Sequence, residues 1–409
     1  MVQYLRMKKT RIITDEQKID ELLSRGVTES IVKESLKKKL MSGEQLRIKL
    51  GIDPTSPDIH IGRAVSLLKL HDFQELGHQI VLIVGDFTGV IGDTSDKDSE
   101  RPMLDKKIID QNKKSYFAQV GKVLNIKKTE LRYNSEWLSK LKYADIGTHA
   151  DVFSVSDFIA RENIAKRLKA GTRVSLREVL YPLMQGYDSV AVKADIEIGG
   201  IDQKFNLLAG RVLQEKCGQR PQDILMSPLI LGLDGRKMSS SWGNTINLTA
   251  EPNDMFGKVM SMHDDAIVEY FTLCTRIPLS EVADIRAALA RGENPRDAKM
   301  RLGREIVTLY HGVKKALAAE QAFVEQFREG KIPDNITEVV ATEDIPGALV
   351  MAGVAASKGE LTRLLQAGGI RNAVTSEKLL TLKFIVTEPL TIRVGKRQFV
   401  KLIPSKKKK

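Results

Sequence analysis

Gly51-Ile-Asp-Pro-Thr-Ser-Pro-Asp-Ile-His-Ile-Gly-Arg63 lies between an alternating apolar and polar segment, residues 46–50, and a helical pattern, residues 64–76. The alternation of residues 46–50 predicts a strand, and the helical spacing of apolar residues in 64–76 predicts a helix. The stretch between them is therefore predicted to be a strand-to-helix turn. His60 and Gly62 fall where the first free N–H groups of that helix point outward, which suits an anion. The alternative is a stiff loop with a helix cap.

The segments that follow predict an α/β fold with a parallel sheet. Residues 80–84 form a continuous apolar run, as in a strand buried on both faces, and residues 195–198 form a further strand before a helical pattern at 204–217. Alternating strands and helices of this length place a ligand at the carboxyl ends of the strands. Residues 102–180 are more polar and predict an insert with a helix over 156–171.

Composition bounds the class of protein. The 409 residues suffice for two or three domains, and 64 Lys and Arg against 52 Asp and Glu give a net charge of +12. That excess suits a polyanionic partner, although a basic solvated surface has the same composition. Cys217 and Cys274 form no C-x-x-C pair, so neither a disulfide framework nor a zinc site is predicted. No apolar run approaches membrane length, and the basic N-terminus lacks an apolar signal segment, so we expect a reduced cytoplasmic enzyme.

Four further polar segments accompany the predicted strands. Gly85 to Asp93 is glycine-rich, and Gly199 to Gln203 brings two glycines and an aspartate to a helix start. Tyr181 to Asp188 places three hydrogen-bonding side chains on one face of a helix beginning near Pro182, which indicates a pocket floor. Gly235 to Ser241 carries a lysine and several hydroxyls. The alternatives are tight turns, an N-cap aspartate, a helix face with a buried tyrosine and a surface loop.

These segments resemble the motifs of class I aminoacyl-tRNA synthetases, specifically the bacterial-type tyrosyl branch. The first stretch resembles H-x-G-H with a D-P-T leader, with Arg63 in place of the last histidine. The others resemble G-D-F-T-G-x-I-G-D, Y-P-L-x-Q-x-Y-D, G-G-x-D-Q and K-M-S-K-S, with Ser240 in place of the second lysine. Many members carry a tyrosine where this chain has Lys49, and part of the family has K-L-G as here.

The resemblance implies a role for each motif residue. In the implied amino-acid pocket, the carboxylate of Asp93 meets the substrate ammonium and Asp188 accepts the phenolic hydroxyl. The residues implied to form this pocket are Thr88, Asp93, Tyr181, Gln185, Asp188 and Gln203. Residues implied in ATP binding are Asp53, Gly62, Arg63, Gly200, Asp202, Met238, Ser239 and Ser240. Catalysis is implied for two residues at the phosphates and three cations over the leaving group, namely Thr55, His60, Lys97, Arg101 and Lys237. ATP normally brings Mg²⁺ as a substrate complex, and no dedicated metal site is expected.

The C-terminal sequence indicates an RNA contact. Residues 356–372 resemble the small S-four-like RNA-binding module, in which Lys358, Arg363 and Arg371 are implied to face phosphates. Such contacts give salt-dependent affinity and little sequence choice.

The same resemblance divides the chain. It implies a Rossmann-like parallel-sheet core with a helical insert, then an α-helical domain and a small α+β module. The predicted parts are a helical arm (1–45), a catalytic domain (46–242), an α-helical anticodon-proximal domain (243–330), a linker (331–346) and the RNA-binding module (347–409). The helical part is equally compatible with a plain helical bundle. The insert is implied to carry the dimer interface, although its apolar residues suit core packing as well.

The implied function is tyrosine-tRNA ligation by a homodimer acting on tyrosine, ATP and tRNA(Tyr). Three alternatives stay open at this point: a tryptophanyl synthetase, a nucleotidyltransferase with the same core, and a catalytically weak paralogue that binds RNA. Arg63 and Ser240 keep the last alternative open, because both change the ATP motifs while the RNA-binding segment is intact.

Overall fold

A parallel sheet organises the N-terminal part of the chain. The computed structural model describes residues 11–95, 103–328, 336–342, 344–375, 377–395 and 398–404. The strands of the first sheet are β1 (Glu29–Ile31), β2 (Arg47–Ile52), β3 (Gln79–Val84), β4 (Thr129–Tyr133), β5 (Ile196–Gly200) and β6 (Asp223–Ser227). Within these described ranges the order across the sheet is β1-β6-β5-β2-β3-β4. Every neighbouring pair is parallel except β1 with β6.

Helices cover the sheet and continue after it. Those before β5 are α1 (Glu16–Ser24), α2 (Lys33–Met41), α3 (Ile61–Glu75), α4 (Thr88–Ile91), α5 (Lys106–Val120), α6 (Ser135–Leu138), α7 (Tyr143–Ala150), α8 (Val155–Ile159), α9 (Glu162–Lys169) and α10 (Leu176–Val192). Those after it are α11 (Lys204–Lys216), α12 (Pro252–Ser261), α13 (Ile267–Cys274), α14 (Leu279–Ala290), α15 (Pro295–His311) and α16 (Val313–Arg328). In the described residues no helix is long and apolar enough to cross a membrane.

The predicted strands β2, β3 and β5 are largely buried, and so is β6, which was not predicted. Residues 80–84 of β3 are buried, as are all residues of β6 and most of β2 and β5, because helices pack on both faces of the sheet. β2 lies between β3 and β5, so their carboxyl ends meet at one edge. The predicted α/β fold with a parallel sheet is confirmed, and its ligand edge is where Asp53, Gly85 and Gly200 stand.

The chain divides into two compact units between Glu320 and Gln321. The second unit contains β7 (Thr337–Ala341), α17 (Ile345–Met351), α18 (Lys358–Gln366), β8 (Ile370–Asn372), β9 (Leu390–Val394) and β10 (Gln398–Pro404). Its strands form a sheet in the order β7-β10-β9-β8, with β10 parallel to β7. A separate core with Leu349, Leu361 and Leu402 holds this unit together.

Three short strands correct the predicted organisation. β1 lies in the predicted helical arm, β4 in the predicted insert and β7 in the predicted linker. Each is an edge strand: β1 and β4 are only partly buried along their length, and β7 alternates exposed and buried residues. They therefore lack the apolar run that reveals a central strand, and pairing with a distant strand fixes them instead.

Two helix boundaries also differ from prediction. α10 begins at Leu176 and not near Pro182, because Ser175 and Glu178 form a capping box nearly two turns earlier. Pro182 removes the N–H that would bond the carbonyl of Glu178, and Arg161 Nη2 donates to that carbonyl at 3.3 Å. The predicted helix over 156–171 is two helices, α8 and α9. Arg161 Nε donates to the Phe158 carbonyl at the break, at 2.9 Å.

Candidate active site

A cavity of about 290 Å³ opens at the carboxyl ends of β2, β3 and β5. It brings together predicted residues from five separate stretches of sequence. The predicted residues that line it are Asp53, Thr55, His60, Gly62, Arg63, Thr88, Asp93, Tyr181, Gln185, Asp188, Gly200, Asp202, Gln203, Lys237, Met238, Ser239 and Ser240. Lys97 and Arg101 lie outside the described residues.

His60 is a neutral N-cap at the mouth of this cavity. Its Nδ1 accepts from the Arg63 N–H at 3.3 Å, which caps α3. Burial, with help from the cations Arg63 and Lys237, lowers the pKa of His60 to about 3. Because Nδ1 is an acceptor in a neutral ring, Nε2 carries the proton and can donate.

Arg63 extends from the first turn of α3 along the cavity wall. Its Nη1 donates to the Asp53 carbonyl at 3.1 Å and to Tyr116 Oη at 3.4 Å, and its Nη2 donates to Thr55 Oγ1 at 3.3 Å. The guanidinium is therefore held beside Thr55 and His60. The described residues give it no carboxylate partner within ion-pair distance.

Asp53 anchors one wall of the cavity. Its Oδ2 accepts from Tyr181 Oη at 2.8 Å and its Oδ1 accepts from Thr88 Oγ1 at 2.7 Å. Burial raises the pKa of Asp53 to about 6, although these two hydrogen bonds oppose the shift. A Cβ on Gly85 would lie 2.0 Å from Oδ1 and 2.3 Å from Thr88 Oγ1, so only glycine permits this contact.

Asp188 is a buried acceptor at the inner end of the cavity. Trp137 Nε1 donates to its Oδ1 at 2.8 Å, and Asn134 Nδ2 donates to Oδ2 at 3.3 Å. Burial raises the pKa of Asp188 to about 7, while Lys49 and the two hydrogen bonds act to lower it. The carboxylate is thus oriented by two neutral donors from α6 and its flank, with its remaining lone pairs available to a ligand.

A second carboxylate, Asp93, faces the same space. Gln203 Nε2 donates to its Oδ2 at 2.7 Å, and the N–H and Oγ of Ser95 donate to Oδ1 at 3.0 and 2.6 Å. Asn206 Nδ2 joins Gln203 Oε1 to Gln185 Oε1, at 2.8 and 3.1 Å. Asp93 and Gln185, two of the predicted ammonium-binding residues, are therefore linked through Gln203 and Asn206.

The loop after the sheet lies across the cavity entrance. Lys237 Nζ is 3.0 Å from Asp202 Oδ2, and Ser240 Oγ is 3.5 Å from Ser56 Oγ. Arg236 instead pairs with Asp234 and stacks over Trp242, with its guanidinium carbon 4.8 Å from the ring centroid. Arg63, unlike Arg236, lines the cavity.

Comparison with known proteins decides the family. The model of the tRNA synthetases of class I (W and Y) matches residues 41–328. A tyrosine–tRNA ligase of Carboxydothermus hydrogenoformans is 45% identical over 400 residues, covering 94% of this chain and 97% of that protein. A tyrosine–tRNA ligase of Thermotoga maritima is 42% identical, covering 97% of this chain and all of that protein. The chain belongs to the tyrosyl branch of the class I tRNA synthetases.

Solved structures agree on the fold. A C-terminally truncated mitochondrial tyrosyl-tRNA synthetase of Aspergillus nidulans matches with a TM-score of 0.65 at 20% identity, covering 76% of this chain and 94% of that one. A tyrosyl-tRNA synthetase of Archaeoglobus fulgidus, complexed with L-tyrosine, matches with a TM-score of 0.59 at 20% identity, covering 74% of this chain and 99% of that one. The class I synthetase core predicted from the motifs is thus present.

Three cavity-side residues of this synthetase escaped the sequence analysis. Asn134 and Trp137 follow the carboxyl end of β4, and Asn206 lies in the first turn of α11. Recognising β4 as a parallel strand would have directed attention to the residues just after it, where ligands bind. Asn206 stands only three residues after Gln203, on the same helical face, and that spacing was the available signal.

The predicted RNA-contacting residues lie in the second unit. Lys358 begins α18 and pairs with Asp344, and Arg363 lies in the last turn of the same helix. Arg371 lies in β8 and its Nε donates to the Gly368 carbonyl at 3.3 Å. Leu361 is buried, and Leu364 packs against the same core.

Proposed function

We infer that this synthetase activates tyrosine with ATP and transfers it to tRNA(Tyr). The observation that carries the inference is one cavity in which a buried phenol acceptor, an ammonium-binding carboxylate and phosphate-facing donors converge. A carboxylate oxygen of tyrosine attacks the α-phosphorus of ATP, and pyrophosphate leaves to give tyrosyl-adenylate. A ribose hydroxyl of the terminal adenosine of the tRNA then attacks the tyrosyl carbonyl, the bond to the phosphate breaks, and AMP leaves. Positioning and charge stabilisation supply the catalysis.

Asp188 is proposed to accept the phenolic hydroxyl of tyrosine. Its carboxylate is buried and already held by Trp137 and Asn134, so it meets the hydroxyl without reorganising. Phenylalanine would leave this acceptor buried and unpaired, which is the strongest form of discrimination that a binding pocket can exert.

Asp93 is proposed to bind the α-ammonium, together with Tyr181 and Gln185. A carboxylate facing an ammonium is a charge-assisted pair that orients the amino acid as well as attracting it. The bond from Gln203 to Asp93 fixes the direction in which that carboxylate faces. Thr88 supports the same wall through Asp53.

His60, Thr55 and Lys237 are proposed to act on the phosphates. The neutral ring of His60 donates from Nε2, and Lys237 exchanges Asp202 for phosphate as the loop closes. Gly200 and Asp202 are proposed to meet the ribose, with Met238 and Ser239 on the loop side. ATP is proposed to enter as its magnesium complex. Lys97 and Arg101 stay predictions for the leaving pyrophosphate.

The test is amino-acid-dependent exchange of pyrophosphate into ATP. We expect exchange with tyrosine but not with phenylalanine or tryptophan, and we expect Lys237→Ala to lower the rate by about 100-fold, since one charge-stabilising group is lost. Lys258→Ala is the matched control, because that lysine is part-exposed on α12 and pairs with Asp254. Absence of exchange from folded protein that still binds tRNA would favour the RNA-binding paralogue.

The active enzyme is proposed to be a cytoplasmic homodimer. Large apolar side chains between residues 143 and 176 are exposed in the described chain, namely Tyr143, Ile146, Val155, Ile159, Leu168 and Leu176. A surface with this many apolar side chains suits a subunit interface. Equilibrium sedimentation should give twice the 45.6 kDa of the chain. A monomer at micromolar concentration would contradict the proposal.

A further inference from the structure

Lys49 is a fully buried lysine in the middle of β2, outside the cavity lining. Its Nζ donates to the Gln185 carbonyl at 3.0 Å, to Ser189 Oγ at 2.8 Å and to Glu197 Oε1 at 2.8 Å. These three bonds use all three protons of the ammonium. Two of them reach residues of α10 that flank Asp188.

Glu197, on β5, is the equally buried partner of Lys49. Its Oε1 accepts from Lys49 Nζ and, at 3.3 Å, from Gln185 Nε2. Its Oε2 accepts from Ser189 Oγ at 3.0 Å and from Gln222 Nε2. A buried pair with every donor and acceptor used is rigid, because any rearrangement leaves a charge without a partner.

The pair is continuous with the amino-acid pocket. Glu197 accepts from the amide nitrogen of Gln185, so the amide oxygen of Gln185 faces Asn206. Asn206 binds Gln203, and Gln203 binds Asp93. The Lys49–Glu197 pair therefore fixes the orientation of Gln185, and through Asn206 and Gln203 that of Asp93, from outside the cavity lining.

The charges of the pair also face Asp188. Lys49 approaches Asp188 from β2 and acts to lower its pKa, whereas Glu197 approaches from β5 and acts to raise it. The side towards α6 presents the neutral donors Trp137 and Asn134, and Tyr181 is the titratable neighbour on α10 itself. Neutralising Lys49 should therefore raise the pKa of Asp188, and neutralising Glu197 should lower it.

We propose that Lys49 and Glu197 are positioning residues that hold Gln185 and Asp188 in place and thereby set the preference for tyrosine over phenylalanine. Neither residue lines the cavity, so their effect passes through α10. The proposal rests on the proposed activation of tyrosine.

The experiment compares Lys49→Met, Glu197→Gln and the double variant in pyrophosphate exchange. In Lys49→Met we expect the KM for tyrosine to rise about tenfold with kcat within about threefold, and the tyrosine-to-phenylalanine ratio of kcat/KM to fall about tenfold, since displaced binding groups lose their alignment. The acid limb of the kcat/KM profile should move up by about one pH unit, and in Glu197→Gln it should move down.

A matched control separates positioning from stability. Lys39 and Asp223 form another buried pair, 2.9 Å apart, at the amino end of the neighbouring strand β6, and neither residue contacts Gln185 or Asp188 in the described hydrogen bonds. Lys39→Met should lower the melting temperature without changing KM, the substrate ratio or the pH profile. Variants of Lys49 and Glu197 that behave in the same way would overturn the proposal.

Folding failure does not leave the question open. The double variant contains no unpaired buried charge, so it can be measured even if a single variant does not fold. A fall in its tyrosine-to-phenylalanine ratio of kcat/KM would support positioning, and a wild-type ratio would overturn the proposal. Failure of the proposed function is distinct, because wild type would then show no exchange with tyrosine at all.

Discussion

Two residues depart from the usual ATP motifs of this family, and the structure relates them. Arg63 replaces a histidine and lies on the cavity wall beside Thr55. Ser240 replaces a lysine and has its hydroxyl near Ser56. A guanidinium fixed beside the phosphate-facing residues can stabilise developing charge without the reorganisation that a mobile lysine needs. Arg63 is therefore the residue expected to supply the cation that Ser240 lacks.

Exchange kinetics of Arg63 and Ser240 variants test this relation. We expect Arg63→Ala to lower kcat for pyrophosphate exchange by about 100-fold, because a charge-stabilising group is lost. Ser240→Lys should recover at least about tenfold in that background and change wild type by less than about threefold. Arg291→Ala is the control, since that arginine is exposed and pairs with Glu293. Equal effects of Ser240→Lys in both backgrounds would show that the positions act independently.

Individual site residues differ in how readily sequence reveals them. Tyr181, Gln185 and Asp188 were predictable because three polar side chains share a helical face among apolar neighbours. Trp137 was not predictable. It lies in a polar segment, and nothing in the sequence around it indicates that its indole N–H donates to the carboxylate of Asp188, 51 positions later. Its role depends on the tertiary structure alone.

The turn between β3 and α4 depends on a glycine. A Cβ at Gly85 would lie within 2.3 Å of both Asp53 Oδ1 and Thr88 Oγ1, which are bonded to each other. We expect Gly85→Ala to separate them, to lower the free energy of unfolding by about 1–3 kcal/mol and to raise the KM for tyrosine. Urea unfolding and pyrophosphate exchange measure the two effects.

Gly257 provides the control for that substitution. It lies inside α12, and a Cβ there would meet no heavy atom within 4 Å. Gly257→Ala should therefore stabilise the protein by up to about 1 kcal/mol, since alanine is the better helix former. Similar destabilisation of both variants would remove the steric explanation for Gly85.

At the level of elements, the strands β2, β3 and β5 were predicted, whereas the edge strands β1, β4 and β7 and the internal strand β6 were not. β3 appears in the sequence as an apolar run, and β5 appears as alternating apolar and polar residues; both are largely buried. β4 contains Glu130 and Arg132, which pair with each other at the sheet edge, so its composition resembles a loop. Edge position explains why β1, β4 and β7 were missed, but it does not explain β6, whose residues are all buried.

The residues proposed for adenylation and those proposed for RNA binding lie in different compact units of the chain. All described residues proposed to act in tyrosine activation precede Glu320, and those proposed to contact phosphates of RNA follow Gln321. A chain ending at residue 328 should keep pyrophosphate exchange within about threefold of wild type. Its tRNA charging should fall by orders of magnitude, because the phosphate contacts that supply affinity are lost.

Charging assays at several salt concentrations check this separation. The full chain should lose affinity for tRNA steeply as salt rises, and the shortened chain should show a shallower dependence. Loss of pyrophosphate exchange in a folded shortened chain would show that the second unit also supports adenylation.

The pairing of β1 with β6 has a consequence for biosynthesis. β1 is made early, yet its partner strand begins only at Asp223. At ribosomal rates the nascent β1 waits roughly 10 to 40 seconds before β6 exists. During that interval the first strand to emerge has no neighbour in the sheet, and β5, which completes the pocket wall, arrives almost as late. We therefore expect nascent chains halted before residue 223 to be captured by chaperones and to lack tyrosine binding.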